Sequence, residues 1–344
     1  MKSWRVHRYG EPSVALELDD VVVPAPGPGQ VLVETAATSL NYNEVDGCFG
    51  RYRTIDPPLP YTLGMEVLGR VAAAGPGAEP WVGRRVTATA VGAYGAHAEQ
   101  VLADADMTFD APEQLDDREA AAFFFPFHLA HLSLVERGHV QPGQDVLVHA
   151  GAGGIGSATV QLAAALGARV IATAGSDEKL ALCRELGAEV AINYRTADVA
   201  AEVLAATGGR GVDLACDLVG GETTTATFPC LAHGARHVLV GFSGGIEAED
   251  EGGITPRPLL FGNFDVCGVM LAYTSFPELA KEHRGFNLFS RADGERVHAH
   301  LLELLASGAI RPVVGRVAPW TELPTELERM AARATTGRTV LDWS

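Results

Sequence analysis

The rhythm of apolar and polar positions changes once along this chain. From residue 4 to about residue 122, short apolar runs are broken every few positions by turn formers. Val31-Leu32-Val33-Glu34-Thr35, Leu68 to Ala74 and Val86 to Ala90 have the length and composition of strands. Pro24-Ala25-Pro26-Gly27-Pro28-Gly29, Gly75-Pro76-Gly77 and Gly83 punctuate them. This spacing predicts a compact, mostly β region.

The texture shifts near residue 123, and from Asp145 onward strand-like and helix-like stretches alternate. Val146-Leu147-Val148 predicts a buried strand, and a glycine-rich turn leads into a helix from about Gly154 to Leu166. Val170-Ile171-Ala172 is the next strand, followed by a helix over Asp177 to Leu186. Glu189 to Ile192, Val212 to Cys216, His237 to Val240 and Phe264 to Met270 supply further strands. Such alternation predicts a parallel, doubly wound α/β sheet. The tail reads as helical over Val297 to Leu305 and ends in a strand at Thr339-Val340-Leu341.

Composition narrows the function classes. The chain has 344 residues, room for two domains, and is 47% hydrophobic and 20% charged. Its formal net charge of −17 repels phosphate backbones and anionic lipid, which argues against a nucleic-acid or membrane partner. The opening Met1-Lys2-Ser3-Trp4-Arg5 lacks the apolar core of a signal peptide. The longest apolar candidate, Ala120 to Leu134, is too short to span a bilayer and holds Pro126, His128 and His131. The cysteines are scattered and odd in number, as suits reduced thiols in a cytoplasm. The acidic run Glu247 to Glu251 reads as a solvated loop.

The strongest local signal is Gly151-Ala152-Gly153-Gly154-Ile155-Gly156. It fits G-x-G-x-x-G directly after a strand and at the opening of a helix, the context dinucleotide binding needs. Gly151 is expected to serve the tight turn, Gly153 the close approach of backbone amides to a pyrophosphate, and Gly156 the packing of helix on strand. The helix N-terminus adds unpaired N–H groups and a positive dipole end. NAD-binding versions carry an acid at the end of the second strand to hold the ribose diol. Here that strand ends Thr173-Ala174-Gly175-Ser176, with Lys179 close behind, a set suited to the 2′-phosphate of NADPH. Asp177 could answer a diol instead, but its place at a helix start suggests an N-cap.

With these residues identified, the chain resembles the zinc-independent quinone oxidoreductase, or zeta-crystallin-like, branch of the medium-chain dehydrogenase/reductase superfamily. The resemblance runs from Val146 to Gly156, and includes Leu40-Asn41-Tyr42-Asn43-Glu44-Val45-Asp46, Leu59 to Glu66 and Gly187 to Tyr194, in family order over nearly the whole chain. It implies a GroES-like, mostly β catalytic domain over 1–122, a Rossmann NADP-binding domain over 123–268, and a return to the catalytic domain over 269–344, with the active cleft where the domains meet. It implies that Gly175, Lys179 and Tyr194, helped by Ser176, hold the 2′-phosphate. Gly241, Phe242 and Ser243 would lie on the nicotinamide side. A homodimer is the family's common state.

Zinc enzymes of this superfamily place a histidine where this chain has Met65 and a cysteine where it has Asn43. A thioether and an amide are poor zinc ligands, and no run of closely spaced cysteines offers a structural zinc site, so no metal is expected. Without a Lewis acid, oxidising a simple alcohol is hard, while reducing an electrophilic acceptor needs less help. The expected activity is NADPH-dependent hydride transfer to a quinone or an activated, α,β-unsaturated carbonyl compound. Asn43, Tyr42 and Tyr52 are the candidate donors toward the acceptor's carbonyl oxygen. Asn43 could equally brace a turn or bond the cofactor amide. Tyr42 could pack in the β domain, and Tyr52 could serve as an aromatic wall. Two departures from the family stand out. Leu129 replaces a common threonine, and the stretch from Ile246 to Asn263 is longer than usual. Alternatives from other classes are an enoyl-thioester (enoyl-CoA) reductase and a non-enzymatic NADPH-binding, RNA-binding protein.

Overall fold

The computed structural model describes residues 1–51, 57–244 and 254–344. Tyr52 and the acidic run Glu247 to Glu251 lie outside the described residues. The chain divides into two compact units, one of residues 1–124, 272–298 and 312–344, the other of residues 125–271 and 299–311. The segment 299–311 thus groups with the second unit, whereas the resemblance implied a return to the first over 269–344.

The first unit is built on antiparallel strands. Gln30–Ser39, Glu66–Ala74, Arg85–Ala90 and Gln100–Asp110 pair in that order, and Gln30–Ser39 pairs again with Gln100–Asp110, closing the four into a barrel. Val31, Val33, Val67, Val71, Val86 and Val101 fill its interior, as period-two alternation requires. The C-terminal strand Arg338–Asp342 adds to the same sheet beside Gln30–Ser39. A second cluster joins Leu40, Val45 and Leu63 to Leu323, Leu327 and Leu341, so the two ends of the sequence share one core. One helix here, Tyr42–Cys48, falls within the stretch the turn spacing marked as β. Its seven residues are too few to show a helical period, which is why the pattern concealed it.

The second unit holds one six-stranded parallel sheet. Its order is Ala188–Asn193, Arg169–Ala174, Asp145–Val148, Val212–Asp217, Leu231–Leu239 and Asp265–Gly268. In chain order that is 3-2-1-4-5-6, so the order reverses between Asp145–Val148 and Val212–Asp217. In open α/β sheets ligands bind beyond the carboxyl ends of the strands at this reversal. Leu147, Ile171, Ile192, Val212 and Ala215 form the core between sheet and helices. The fifth strand starts six residues before the expected His237, at Leu231. A register shift between Val212 and Leu214, with Gly234 at φ 76°, breaks the alternation and hides its first half. At the amino end of the sheet Asp145 accepts from Arg169 at 2.9 Å and Arg210 at 2.5 Å, far along the strands from the reversal's open end.

Candidate functional site

At the carboxyl end of Asp145–Val148 the chain turns through His149 and Ala150 into the glycine loop and the helix Gly154–Ala165. The left-handed residue of this turn is Ala150, at φ 52°, not Gly151. Gly151 is needed for room instead. A Cβ there would meet the Ala172 methyl at 2.9 Å and the Cys183 sulfur at 3.1 Å. Gly156 is required more strictly, since its Cβ would stand 2.1 Å from the Ala150 carbonyl oxygen. Gly153, the N-cap, has no side chain to satisfy the helix's first N–H groups. Gly154 and Ile155, half-buried, follow it. The loop therefore offers bare amides at a helix N-terminus, the arrangement that receives a pyrophosphate.

The second strand ends at Ala174, and Gly175 and Ser176 lead into the helix Asp177–Glu185. Ser176 is the N-cap of this helix. Its backbone is extended and its hydroxyl accepts from the Lys179 amide at 3.4 Å, so Asp177 is the first helical residue and not the cap expected from the sequence. The hydroxyl already occupies the geometry in which a cap satisfies the third amide, leaving Asp177 no such place. Tyr194, at the end of the third strand, stands over Gly175, with its hydroxyl oxygen 2.7 Å from where a Cβ on Gly175 would sit. Lys179 is one turn into the helix on the same strand end. Gly175, Ser176, Lys179 and Tyr194 thus gather beyond the second and third strands.

Arg195 joins them and was missed in the sequence. Its Nε lies 3.1 Å from the same point above Gly175. The Asn193 carboxamide oxygen accepts from the Arg195 amide at 3.0 Å and fixes the turn that presents Tyr194 and Arg195 together. The signal was a cation directly following the tyrosine after a parallel strand. This corner carries cations and hydroxyls and no carboxylate at the strand end.

Between these features His149 is buried. Its Nε2 lies 2.9 Å from the Thr227 hydroxyl and its Nδ1 3.3 Å from that of Thr173. Burial pushes its pKa down to about 4, so the ring is neutral near pH 7. Leu129, His128 and His131 are buried as well, with His131 Nε2 3.0 Å from His300 Nδ1. Gly241, Phe242 and Ser243 follow the fifth strand, and Phe242 is 40% exposed.

In the first unit, the Tyr42–Cys48 helix carries Tyr42 and Asn43. Asn41, just before it, is locked in place: its amide donates to Glu66 Oε1 at 2.7 Å and its oxygen accepts from Arg338 Nη1 at 3.0 Å. Arg338 also donates to Glu66. Burial raises the Glu66 pKa, and the Arg338 charge opposes that rise. Glu44 is buried, with Oε2 2.9 Å from His97 Nε2, and its other oxygen accepts from the Met65 amide at 3.3 Å. These bonds bring Asn43 against Met65, with the Asn43 amide directed at the Met65 sulfur. A cavity of about 20 Å³ beside Asn43 and Glu44 is bounded by Tyr61, Leu63, Gly64 and Tyr94. That volume suits a single water. Tyr42 is half-buried, and its hydroxyl pKa is raised by burial and then by the nearby Asp46. Among the described residues no group of three or more His, Cys, Asp or Glu stands where it would hold a metal ion.

Two family models match the chain: an alcohol dehydrogenase GroES-like domain over residues 27–113 and a zinc-binding dehydrogenase domain over residues 154–283. The chain is 32% identical to the quinone oxidoreductase of Rattus norvegicus over 320 residues, covering 93% of this chain and 90% of that one. Among solved structures, a mycobacterial protein complexed with NADPH matches at a TM-score of 0.85 and 30% identity, with 99% of each chain covered. The quinone oxidoreductase from Thermus thermophilus, also solved in complex with NADPH, matches at a TM-score of 0.79 and 34% identity, over 99% of this chain and all of that one.

Proposed function

We propose, for a chain that belongs to the quinone oxidoreductase family of the medium-chain dehydrogenases/reductases, an NADPH-dependent, metal-free transfer of hydride to a quinone or an α,β-unsaturated carbonyl compound. The chain is an oxidoreductase of that family. The observation that carries it is the corner made by Gly175, Ser176, Lys179, Tyr194 and Arg195, where cations and hydroxyls meet and a diol-binding carboxylate is missing from the strand end. A 2′-phosphate accepts charge-assisted hydrogen bonds from such a set. The first-turn amides of Gly154, Ile155 and Gly156 would receive the pyrophosphate at the helix N-terminus, while the Gly151 and Gly153 amides donate to the Thr173 and Ala150 carbonyls and shape the loop. Relatives solved with NADPH bound support the same choice.

When bound, NADPH supplies the hydride. Gly241, Phe242 and Ser243 would lie on the nicotinamide side. Asn43, with Tyr42 and Tyr52, is assigned to the acceptor, donating to the oxygen on which negative charge develops. The Asn43 amide is held against a thioether, a weak acceptor that gives it up readily to a carbonyl. The same contact argues against a catalytic ion, because the two positions a zinc would use hold an amide and a thioether that face each other. Protons reach the reduced product from water, so a quinone takes one hydride and one proton to become a hydroquinone.

The protein's partner is a small molecule. No helix among the described residues is long and apolar enough to cross a membrane, the free cysteines suit a cytoplasm, and the charge of −17 disfavours RNA. A homodimer is consistent with the edge strand Asp265–Gly268 and the neighbouring Leu260 and Phe261, 73% and 70% exposed. The test is NADPH oxidation against a panel of quinones, enones and enoyl-CoA esters. Turnover with quinones or enones is expected. Turnover confined to thioesters, or none with any acceptor, would overturn the reading.

A further inference from the structure

We infer that Asp217 is a positioning residue for the bound dinucleotide: it ties together, from beneath, the two loops that close the site at the point where the strand order reverses. This rests on the cofactor reading above. Asp217 ends the fourth strand, next to the strand that feeds the glycine loop. Its side chain is fully buried.

Its carboxylate is directed at the turn that follows it, at the short helix beyond and at His237 on the neighbouring strand. Oδ1 accepts from the amides of Val219 and Gly220, both at 2.9 Å. Oδ2 accepts from the Thr224 hydroxyl at 2.6 Å and faces His237 Nε2 at 3.6 Å. Its own carbonyl accepts from the amides of Val240 at 2.8 Å and Gly241 at 3.2 Å. The turn so formed then grips the next loop. Leu218's carbonyl accepts from both the amide and the hydroxyl of Ser243, at 3.2 and 2.8 Å, and Val219's carbonyl accepts from the Gly244 amide at 2.8 Å. Gly220, at φ 75°, leaves room for Phe242, whose ring would stand 3.1 Å from a Cβ at that position.

The loop of Gly241 to Gly244 is therefore held by the turn, and the turn by one carboxylate. Burial acts to raise the pKa of Asp217, yet His237, Thr224 and the Gly220 amide outweigh it and keep the group well below the usual carboxylate range. The anchor is thus a permanent anion, whose hydrogen bonds to N–H groups are the strong, charge-assisted kind. A residue in the first loop or the second can drift only if these bonds break. The carboxylate fixes the turn and the short helix after it, and the second loop is held by that turn and by the Asp217 main-chain carbonyl.

The experiment compares the unaltered protein with Asp217→Ala, Asp217→Asn and Ser243→Ala, and with Thr225→Ala on the exposed face of the same short helix as a control. NADPH affinity is read by the fluorescence of the bound dinucleotide, and KM for NADPH and for the acceptor by steady-state kinetics. Asp217→Ala is expected to raise the Kd and KM for NADPH roughly tenfold, as the loss of several charge-assisted bonds implies. Asp217→Asn keeps the Oδ1 acceptor and is expected to recover most of that loss. Ser243→Ala is expected to weaken NADPH roughly threefold, the scale of one hydrogen bond. The acceptor's KM should stay within about twofold in all of them, a split that a general loss of structure would not produce. Folded Asp217→Ala and Ser243→Ala that bind NADPH like the unaltered protein would overturn the inference. If Asp217→Ala does not fold, Thr224→Val and Ser243→Ala decide in its place by the same readout. An unaltered protein that does not bind NADPH would instead overturn the cofactor reading itself.

Discussion

The Tyr194 hydroxyl oxygen lies 2.7 Å from the position a Cβ on Gly175 would occupy, so a glycine and an aromatic ring from neighbouring strand ends share one space. No side chain fits at 175 while Tyr194 keeps its place. Gly175→Ala is expected to displace Tyr194 and to raise the KM for NADPH about tenfold, with little effect on that for NADH. Its folding cost should be small, because the phenol is 41% exposed and can swing outward. Steady-state kinetics with both dinucleotides check this. A substitution that leaves the preference for NADPH intact would separate Tyr194 from the 2′-phosphate.

Lys179 and Arg195 supply the cations of the same corner. Lys179→Glu reverses a charge and is expected to raise the KM for NADPH by an order of magnitude or more, while that for NADH changes little. Arg195→Gln keeps a polar side chain and removes a charge, so a roughly three- to tenfold loss confined to NADPH is expected. Among the described residues the Arg195 guanidinium has no side-chain hydrogen bond or ion pair, which frees it for an incoming phosphate. Equal effects on the two dinucleotides would remove both residues from the 2′-phosphate.

The fold was legible where apolar runs were long and uninterrupted. Val146-Leu147-Val148 and Val170-Ile171-Ala172 are buried on both faces, and such strands declare themselves in sequence. The glycine motif was legible for the same reason, since a strand before it and a helix after it leave little else for it to be. The seven-residue helix at Tyr42 and the early start of the strand at Leu231 were not, because one is too short to be periodic and the other is broken by a bulge. Asp217 could not be singled out either. A lone acid at a strand end shows its purpose only when the amides it accepts from are seen. Ser176 and Asp177 compete for one cap in sequence, and only backbone geometry separates them.

The contact between Asn43 and Met65 bears on metal dependence. An amide directed at a thioether offers no set of anionic or imidazole donors, so exhaustive dialysis against EDTA is expected to leave NADPH-dependent turnover unchanged. Added zinc should not raise it. A loss on dialysis that zinc restores would overturn the metal-free reading, and elemental analysis of the purified protein would locate the ion.

His149 sets how the second unit responds to acid. Buried between Thr173 and Thr227, it has a folded-state pKa of about 4, against an ordinary value near 6.5 in an unfolded chain. Between those values the unfolded chain binds a proton that the folded one does not, so stability falls as pH falls through this window. The contribution is fully present above pH 6.5 and is lost progressively down to about pH 4, at roughly 1.4 kcal/mol per pH unit in the middle of the window. His149→Asn cannot titrate there and keeps a hydrogen-bonding side chain between the two threonines. Urea denaturation at pH 7 and pH 5 should therefore show a smaller drop in midpoint for the variant than for the unaltered protein. Burial also lowers the pKa of His298 to about 4, in the first unit, so a residual slope is expected in the variant. Identical slopes in the two proteins would mean that His149 accepts a proton in the fold and that its threonine contacts rearrange to receive it.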